Sequence, residues 1–183
     1  MRETEIKSII DEKTYEKAEK AFKWDSVKEQ ENHYYTDRNG VLREHRVMVR
    51  VRVVEGKAKI QVKLHKNANS PLQICDETEF DIDKVPEIID ALTAEKITGM
   101  DVGELFRMGS AVTLRHSLTH NASELCLDKT TYFDKTDYEV ELEYTEKMSA
   151  DLLMKLNSLG IAFNKNCVGK FSRFLGEYLK EER

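Results

Sequence analysis

The sequence of 183 residues predicts an α+β domain. Its centre is a closed antiparallel β-barrel of about eight strands with a polar interior, and helices flank this barrel. Two observations support this fold class. Several segments alternate polar and apolar residues with the period of two that is typical of strands, and helical patterns lie between them. The polar faces of these strands also carry charges that are segregated by sign, which is unusual for faces that meet water.

The strand patterns are clearest in the first half of the chain. Val47–Val54 alternates strictly, with valines on one side and Arg50 and Arg52 on the other. The turn signal Glu55-Gly56-Lys57 leads to the returning segment Lys59–Leu64, so we expect a hairpin. Further strand patterns cover Cys75–Ile82, Ala111–Leu118, Ser123–Leu127 and Tyr138–Thr145.

Helical periodicity marks four other segments. They are Lys13–Lys28, Pro86–Ala94, Ser149–Leu159 and Gly169–Lys180. In the second segment we expect Asp83 as the cap, Pro86 in the first turn, and an apolar face formed by Val85, Ile88, Ile89 and Leu92. In the third, Ser149 is the expected N-cap and Gly160 the stop. We expect the helices to cover the outward-facing apolar sides of the strands.

Composition limits the possible classes of protein. Hydrophobic residues make up 40% of the chain and the net charge is −5, which fits one folded domain over residues 1–183. The 3 cysteines are widely spaced, so we expect free thiols, a cytoplasmic location and no zinc site. No apolar run is long enough for a membrane helix, and we expect no signal peptide. The acidic balance argues against a nucleic-acid partner.

The charged faces of the strands indicate the function. Carboxylates recur at every second position in three segments: Glu3 and Glu5, Glu77 and Glu79, and Glu139, Glu141 and Glu143. Arg50 and Arg52 form a basic row, as do Lys59 and Lys63. Each row alone is consistent with a solvated outer face, but adjacent like charges repel one another. Together they indicate a shared ligand, because carboxylates bind Mg²⁺ or Mn²⁺ and Arg and Lys bind phosphate. The rows therefore predict a site for a metal ion and a polyphosphate.

The pattern Glu3-Thr4-Glu5-Ile6-Lys7 resembles the Glu-x-Glu-x-Lys signature of the CYTH superfamily, the triphosphate tunnel metalloenzymes. Other segments are similar to that family in the same order along the chain. They are Asn32-His33-Tyr34-Tyr35, Val49-Arg50-Val51-Arg52, Gln61-Val62-Lys63-Leu64, Glu77-Thr78-Glu79, Glu124-Leu125-Cys126-Leu127-Asp128, Tyr138-Glu139-Val140-Glu141-Leu142-Glu143 and Lys170-Phe171-Ser172-Arg173-Phe174. The resemblance spans nearly the whole chain.

The resemblance implies roles for individual residues. Metal would be held by Glu3, Glu5, Glu141 and Glu143, with Glu139 as the next candidate. Phosphate oxygens would be bound by Lys7, Arg50, Arg52, Lys63, Arg115, Lys170 and Arg173. Glu77, Glu79 and Asp128 would pair with these basic groups or hold a second metal. Lys63 and Tyr34 are candidates for a general-base pair, since some family members are thought to use a Lys–Tyr pair.

Two positions depart from the family pattern. The order Tyr35-Thr36-Asp37 exchanges the usual aromatic-Asp-Thr, and Thr113-Leu114-Arg115 has one basic residue fewer than is common on that strand. The missing cation would weaken phosphate binding or change the substrate preference.

The leading function is a metal-dependent hydrolase of triphosphate compounds, most of all inorganic triphosphate. Alternatives in the same family are a class IV adenylate cyclase and a thiamine triphosphatase, which would need an aromatic residue such as Trp24 at the entrance. A non-catalytic module that binds polyphosphate or a nucleotide is another alternative, and an apolar-ligand barrel is disfavoured. The expected partner is a small-molecule triphosphate. The sequence does not decide whether the protein forms a homodimer. Simpler roles also exist: Lys170 and Arg173 on a solvated helix face, Tyr34 in the core, and the cysteines as buried apolar residues.

Overall fold

The computed structural model of the protein describes residues 2–66, 72–145, 147–163 and 167–181, and only the backbone of Arg2 and Glu3. The strands are β1 (Arg2–Ile10), β2 (Ser26–Asp37), β3 (Val47–Val54), β4 (Lys57–His65), β5 (Leu72–Ile82), β6 (Ile88–Ile89), β7 (Leu105–His120), β8 (Ser123–Tyr132) and β9 (Lys135–Tyr144). The helices are α1 (Glu12–Ala21), α2 (Val41–Glu44), α3 (Ala91–Thr98), α4 (Ala150–Ser158) and α5 (Lys170–Glu181).

Eight of these strands close into a ring, as predicted. They follow the order β2-β3-β4-β5-β1-β9-β8-β7, and β7 pairs with β2 to complete the barrel. Every pairing is antiparallel, and the short β6 adds to β7. Closure leaves few unpaired strand edges, and alternate side chains of each strand face the interior. The predicted polar interior therefore becomes a cavity inside the ring.

Two apolar clusters lie on the outside of the barrel, under helices. The valines of β3 pack with Leu42 of α2 and with Ala94 and Ile97 of α3. On the other side, apolar residues of β8 and β9 pack against α1 and α4. That second cluster contains Tyr15, Ala18, Leu125, Leu127, Val140, Leu142, Leu152 and Leu156. These two layers cover the outward faces as the alternation predicts.

Helix α5 corrects the expectation that every helix covers an outer face. Its Phe174 is 1% exposed and packs against Tyr34, Met48, Ala111 and Tyr132. These residues lie on the same strand faces as the polar residues of the interior, because side chains two positions apart share a face. The helix therefore forms part of the wall of the interior cavity. Its apolar side is buried within the barrel instead of outside it.

Two predicted helix boundaries are wrong, because residues predicted to be helical form strand pairs instead. The first helix ends at Ala21, and Ser26 already pairs with Ser117 of β7. In the second segment, Ile88 and Ile89 pair with β7, and the helix starts only after Asp90, whose carboxylate accepts from the Thr93 N–H. Asp83 is therefore not the cap, and Leu92 is 80% exposed.

The other predicted elements agree more closely with the structure. The strand predicted over Val47–Val54 has these same bounds. The other predicted strands start earlier or end later than predicted, except that β9 ends at Tyr144, one residue before the predicted end. Ser149 caps α4 by accepting from the Leu152 N–H, and Gly160 has φ +84° just after the helix. The three cysteines are free thiols. Cys75 and Cys126 are buried, whereas Cys167 is only half-buried.

In the described part of the chain, the helices are too short or too polar to cross a membrane.

Gly109 allows α5 to pack closely against the barrel. It has φ +148°, and a Cβ built there would lie 3.3 Å from Cζ of Phe174. We expect Gly109→Ala to lower the free energy of unfolding by about 1–3 kcal/mol, through backbone strain and overpacking. Urea denaturation followed by circular dichroism measures this change.

The matched control is Gly176→Ala on α5, where an added Cβ meets nothing within 4 Å. Because alanine favours the helix, this variant should be stabilised by up to about 1 kcal/mol. Wild-type stability of Gly109→Ala would contradict a close fit of Phe174 on β7.

Candidate functional site

A cavity of about 720 Å³ lies inside the barrel, and its lining includes residues from all eight strands of the ring and from α5. Most of the predicted site residues meet there: Glu5, Lys7, Tyr34, Arg50, Arg52, Lys63, Glu77, Glu79, Arg115, Asp128, Glu141, Glu143 and Lys170. Glu139 and Arg173 lie behind this lining, in contact with it. The side chain of Glu3 lies outside the described residues.

Three adjacent strands, β1, β9 and β8, form an acidic wall. It consists of Glu5, Asp128, Glu139, Glu141 and Glu143. Glu5 lies directly opposite Glu143 in the strand register, and Glu139 lies opposite Asp128. The register dictates this clustering, because each of these residues faces inward on its own strand.

One group on this wall has the spacing of metal ligands. A carboxylate oxygen of Glu141, one of Glu143 and Sγ of Cys126 all lie within 4.8 Å of one another. The Cys126 side chain is fully buried, and burial raises the pKa of its thiol. The thiol therefore stays protonated at neutral pH, so the two carboxylates are the stronger donors.

Basic side chains are inserted among these carboxylates. Nζ of Lys170 lies 2.5 Å from Glu141, 2.8 Å from Asp128 and 3.4 Å from Glu139. Nζ of Lys7 lies 2.7 Å from Glu5. These two lysines act as counterions for the acidic wall, together with two arginines.

The other two counterions are arginines. Arg115 forms two hydrogen bonds to Asp128, at 2.9 and 2.6 Å, and also contacts Glu141. Arg173 lies 2.5 Å from Glu139 and 2.7 Å from Asp137. The side chains of Lys170 and Arg173 are only 13% and 15% exposed, which excludes a solvated helix face for both.

The network separates the proton affinities of neighbouring carboxyls. Burial raises the pKa of Glu141, but Lys170, Arg115 and Lys7 outweigh it and hold the pKa well below its ordinary value. Burial and the charge of Glu141 raise the pKa of Glu139. Glu141 therefore stays ionised, and Glu139 takes up a proton more readily than an ordinary glutamate.

A basic wall lies on the opposite side of the ring. It consists of Arg50 and Arg52 on β3 and Lys63 on β4. Three strands separate β3 from β9 in either direction around the barrel. Lys63 lies 2.7 Å from Glu77. Neither arginine has a carboxylate within 4 Å among the residues that the structure describes.

Among the described residues, the two arginines therefore carry positive charge without a carboxylate in direct contact. Burial lowers the pKa of Arg52 to about 9, together with the positive charges of Arg50 and Arg115. Arg52 remains charged at neutral pH, and an anion in the cavity would relieve the repulsion.

The remaining predicted positions have structural partners. Tyr34 is 1% exposed, and its ring lies 5.2 Å from Phe171 and 4.8 Å from Phe174, measured between centroids. The Thr113 hydroxyl lies 2.9 Å from that of Thr130, at the strand position where the family often has a second basic residue. Asp37 is buried and accepts from the N–H groups that begin α2, away from the cavity.

Two exterior groups do not contribute to the cavity. Trp24 packs on Phe22 and His116, so this ring does not line an entrance. His33 is buried near Glu31 on the outer face of β2. The position of Trp24 therefore does not supply the entrance aromatic that a thiamine triphosphatase would need.

Three residues of the site were not predicted as functional. Asn32 and Gln61 bind the two unpaired arginines, and Asp137 binds Arg173. Asn32 precedes Tyr34 by two positions and Gln61 precedes Lys63 by two, so the strand period already indicates their inward direction. Their hydrogen-bond partners depend on the strand register, which the sequence alone does not give.

The chain is similar to known proteins in sequence and in fold. The model of the CYTH domain matches residues 1–161. A Hippeastrum protein, described as an adenylyl cyclase candidate with dominant triphosphatase activity, is 22% identical with a TM-score of 0.76 over 96% of both chains. An adenylate cyclase candidate from Bacillus halodurans is 20% identical, with a TM-score of 0.69 over 93% of this chain and 95% of that one. No curated protein matches the sequence. These structural similarities show a shared fold.

Replacing Lys170 should show how much this counterion contributes to the stability of the acidic wall. We expect Lys170→Met to lower the free energy of unfolding by about 3–5 kcal/mol at pH 7, because buried carboxylates lose their counterion. Asp128 and Glu141 have lowered pKa values in the folded protein. The stabilisation they provide is present above their ordinary values of 3.8 and 4.5 and is lost as the pH falls below these. The deficit of the variant should therefore shrink in acid.

Urea denaturation at several pH values tests this prediction, with Lys180→Met as the control. Lys180 lies on the same helix, and its side chain is 67% exposed beside Glu177. An exposed pair contributes little, so this control should match the wild type. Equal deficits for Lys170→Met at neutral and acid pH would contradict the assigned ion pairs.

Proposed function

The chain belongs to the CYTH family, and we propose on that premise that it is a metal-dependent triphosphatase acting on inorganic triphosphate. Members of this family are enzymes, either triphosphatases or cyclases. The observation that carries the proposal is the pair of opposed walls. Arg50 and Arg52, without carboxylate partners among the described residues, face a wall of carboxylates across the cavity of the barrel. This distribution suits a ligand that is itself anionic and binds a cation.

The substrate would be bound by its phosphate oxygens. Arg50, Arg52 and Lys63 are the primary candidates, because they line the wall opposite the carboxylates. Guanidinium groups bind phosphate oxygens through paired N–H donors. The resemblance also assigns phosphate contacts to four cations of the acidic wall: Lys7, Arg115, Lys170 and Arg173. These cations would then contact both the substrate and the carboxylates.

The carboxylates fit a divalent cation. Glu141 and Glu143 supply oxygen donors within 4.8 Å of each other, and Glu5 lies opposite Glu143 in the strand register, a set of carboxylates that suits Mg²⁺ or Mn²⁺. Glu3, two positions before Glu5 in the sequence, is the fourth ligand that the resemblance implies. Glu139 lies behind the cavity lining, 2.5 Å from Arg173, so we place it last in this set. When bound, such an ion would neutralise phosphate charge and polarise the bond that breaks.

The residues of this chain would orient the triphosphate for in-line attack by water on a terminal phosphorus. The basic wall holds the phosphate chain and offsets the charge that spreads over its oxygens. The ion pair of Lys63 with Glu77 favours the charged ammonium, which is the form that binds phosphate. A base role for Lys63, with Tyr34 as its partner, would require that ion pair to open.

A class IV adenylate cyclase is the second candidate. The apolar side chains Met48, Phe171 and Leu175 also line the cavity, and they would accommodate the base of a nucleotide. The two reactions differ in their products. Hydrolysis of ATP releases phosphate, whereas cyclisation yields cyclic AMP and pyrophosphate.

We expect Glu5→Gln to lower metal-dependent phosphate release from triphosphate by about 100-fold or more, through loss of a carboxylate donor. Phosphate release is measured with triphosphate, ATP and thiamine triphosphate, with and without Mg²⁺ or Mn²⁺. The control is Glu29→Gln on the exposed outer face of β2, which should keep wild-type activity.

The products identify the reaction. Cyclic AMP from ATP would favour the cyclase, and tight triphosphate binding without any turnover would favour a binding module. Turnover by Glu5→Gln at the wild-type rate would contradict the assigned metal site.

Tyr34→Phe tests the base pair separately. If the hydroxyl assists proton transfer with Lys63, kcat should fall about tenfold or more while KM changes little. Steady-state kinetics across pH measures both constants, and thermal melting checks the aromatic cluster around Tyr34. An unchanged kcat would leave Lys63 as a phosphate ligand alone.

A further inference from the structure

Arg50 and Arg52 are held by neutral amides. Nε of Arg50 donates to Oε1 of Gln61 at 2.7 Å, and Nε of Arg52 donates to Oδ1 of Asn32 at 2.8 Å. Each arginine lies directly opposite its amide on the neighbouring strand. All four residues line the cavity. The arrangement is therefore repeated on both sides of β3.

The amides are themselves fixed. Asn32 is 2% exposed and Gln61 is 5% exposed. Nε2 of Gln61 donates to Glu79, which also lies 2.9 Å from Lys59. An ionised carboxylate only accepts hydrogen bonds, so Glu79 faces the amide nitrogen of Gln61. The amide oxygen is therefore directed towards Arg50.

The arginines near the acidic wall are bound differently. Arg115 uses Asp128, and Arg173 uses Glu139 and Asp137, so carboxylates compensate both charges. A neutral amide fixes the plane of a guanidinium without cancelling its charge. Each guanidinium on β3 also keeps its terminal nitrogens available, since Nε makes the contact.

We propose that Asn32 and Gln61 are positioning residues for phosphate binding, which orient Arg52 and Arg50 and preserve their charge for the substrate. The inference rests on the proposed function. Asn and Gln differ from Asp and Glu by one group of nearly equal size. Changing amide to carboxylate therefore keeps the shape of the site and removes the uncompensated charge.

Two variants test the proposal. Asn32→Asp places a carboxylate beside Arg52. The double variant Gln61→Glu with Glu79→Gln exchanges the two groups, so the amide–carboxylate pair and the net charge are kept while the charge moves next to Arg50. Asn157→Asp adds a carboxylate on the exposed surface of the outer helix α4, and controls for the change in net charge.

Three measurements separate positioning from a structural role. Calorimetry gives the Kd of tripolyphosphate in the presence of a chelator, kinetics gives KM and kcat, and melting gives Tm. We expect Asn32→Asp and the double variant to raise Kd and KM about tenfold, with kcat changed less than about threefold. Their Tm should not fall, because a carboxylate beside a buried arginine relieves repulsion. Asn157→Asp should change Kd less than about threefold, because salt screens an exposed charge outside the cavity.

Wild-type Kd values in both variants, with metal-dependent turnover intact in the wild type, would overturn the positioning role and leave the proposed function standing. A fall in Tm and kcat with unchanged KM would also overturn it, since the amides would then be structural. If the wild-type protein binds no tripolyphosphate with or without Mg²⁺, the proposed function and this inference both fail.

Discussion

Opposite charges enclosed in one barrel are the constraint on which the site depends. The inward faces of β1, β8 and β9 carry carboxylates that an interior cannot hold without counterions. Lys170 contacts three of them, at 2.5, 2.8 and 3.4 Å. Because this ammonium comes from α5, the acidic wall and the position of the last helix depend on each other.

Helix α5 joins the apolar and the charged parts of the interior. Lys170, Arg173 and Phe174 are three and four positions apart, so they share one side of the helix. The two cations reach the acidic wall, while Phe174 packs on Tyr34 and its apolar neighbours. Any displacement of the helix would therefore remove counterions and open the aromatic cluster together.

The two walls of the cavity solve the problem of buried charge in different ways. On the acidic wall, ion pairs leave the local charge close to balanced. On the basic wall, Asn32 and Gln61 satisfy hydrogen bonds of Arg52 and Arg50 without supplying negative charge. The cavity is thus asymmetric: the carboxylates of β1, β8 and β9 lie on one side, and Arg50 and Arg52, without direct carboxylate partners among the described residues, lie on the other. This asymmetry is what an anionic ligand accompanied by a cation would recognise.

The sequence by itself determined the strand alternation and the sign of each inward face, because a period of two is local information. Closure of the barrel, in contrast, rests on the pairing of β7 with β2, which are far apart in the sequence. The prediction from the sequence was wrong where a local helical pattern competed with strand pairing. Ile88 and Ile89 have helical spacing but form a short strand that pairs with β7. Only the tertiary structure decided which charges meet. The contacts of Lys170 with Asp128, and of Asn32 with Arg52, depend on strand register and helix docking. Both are set by distant segments of the chain, so no single stretch of sequence encodes them.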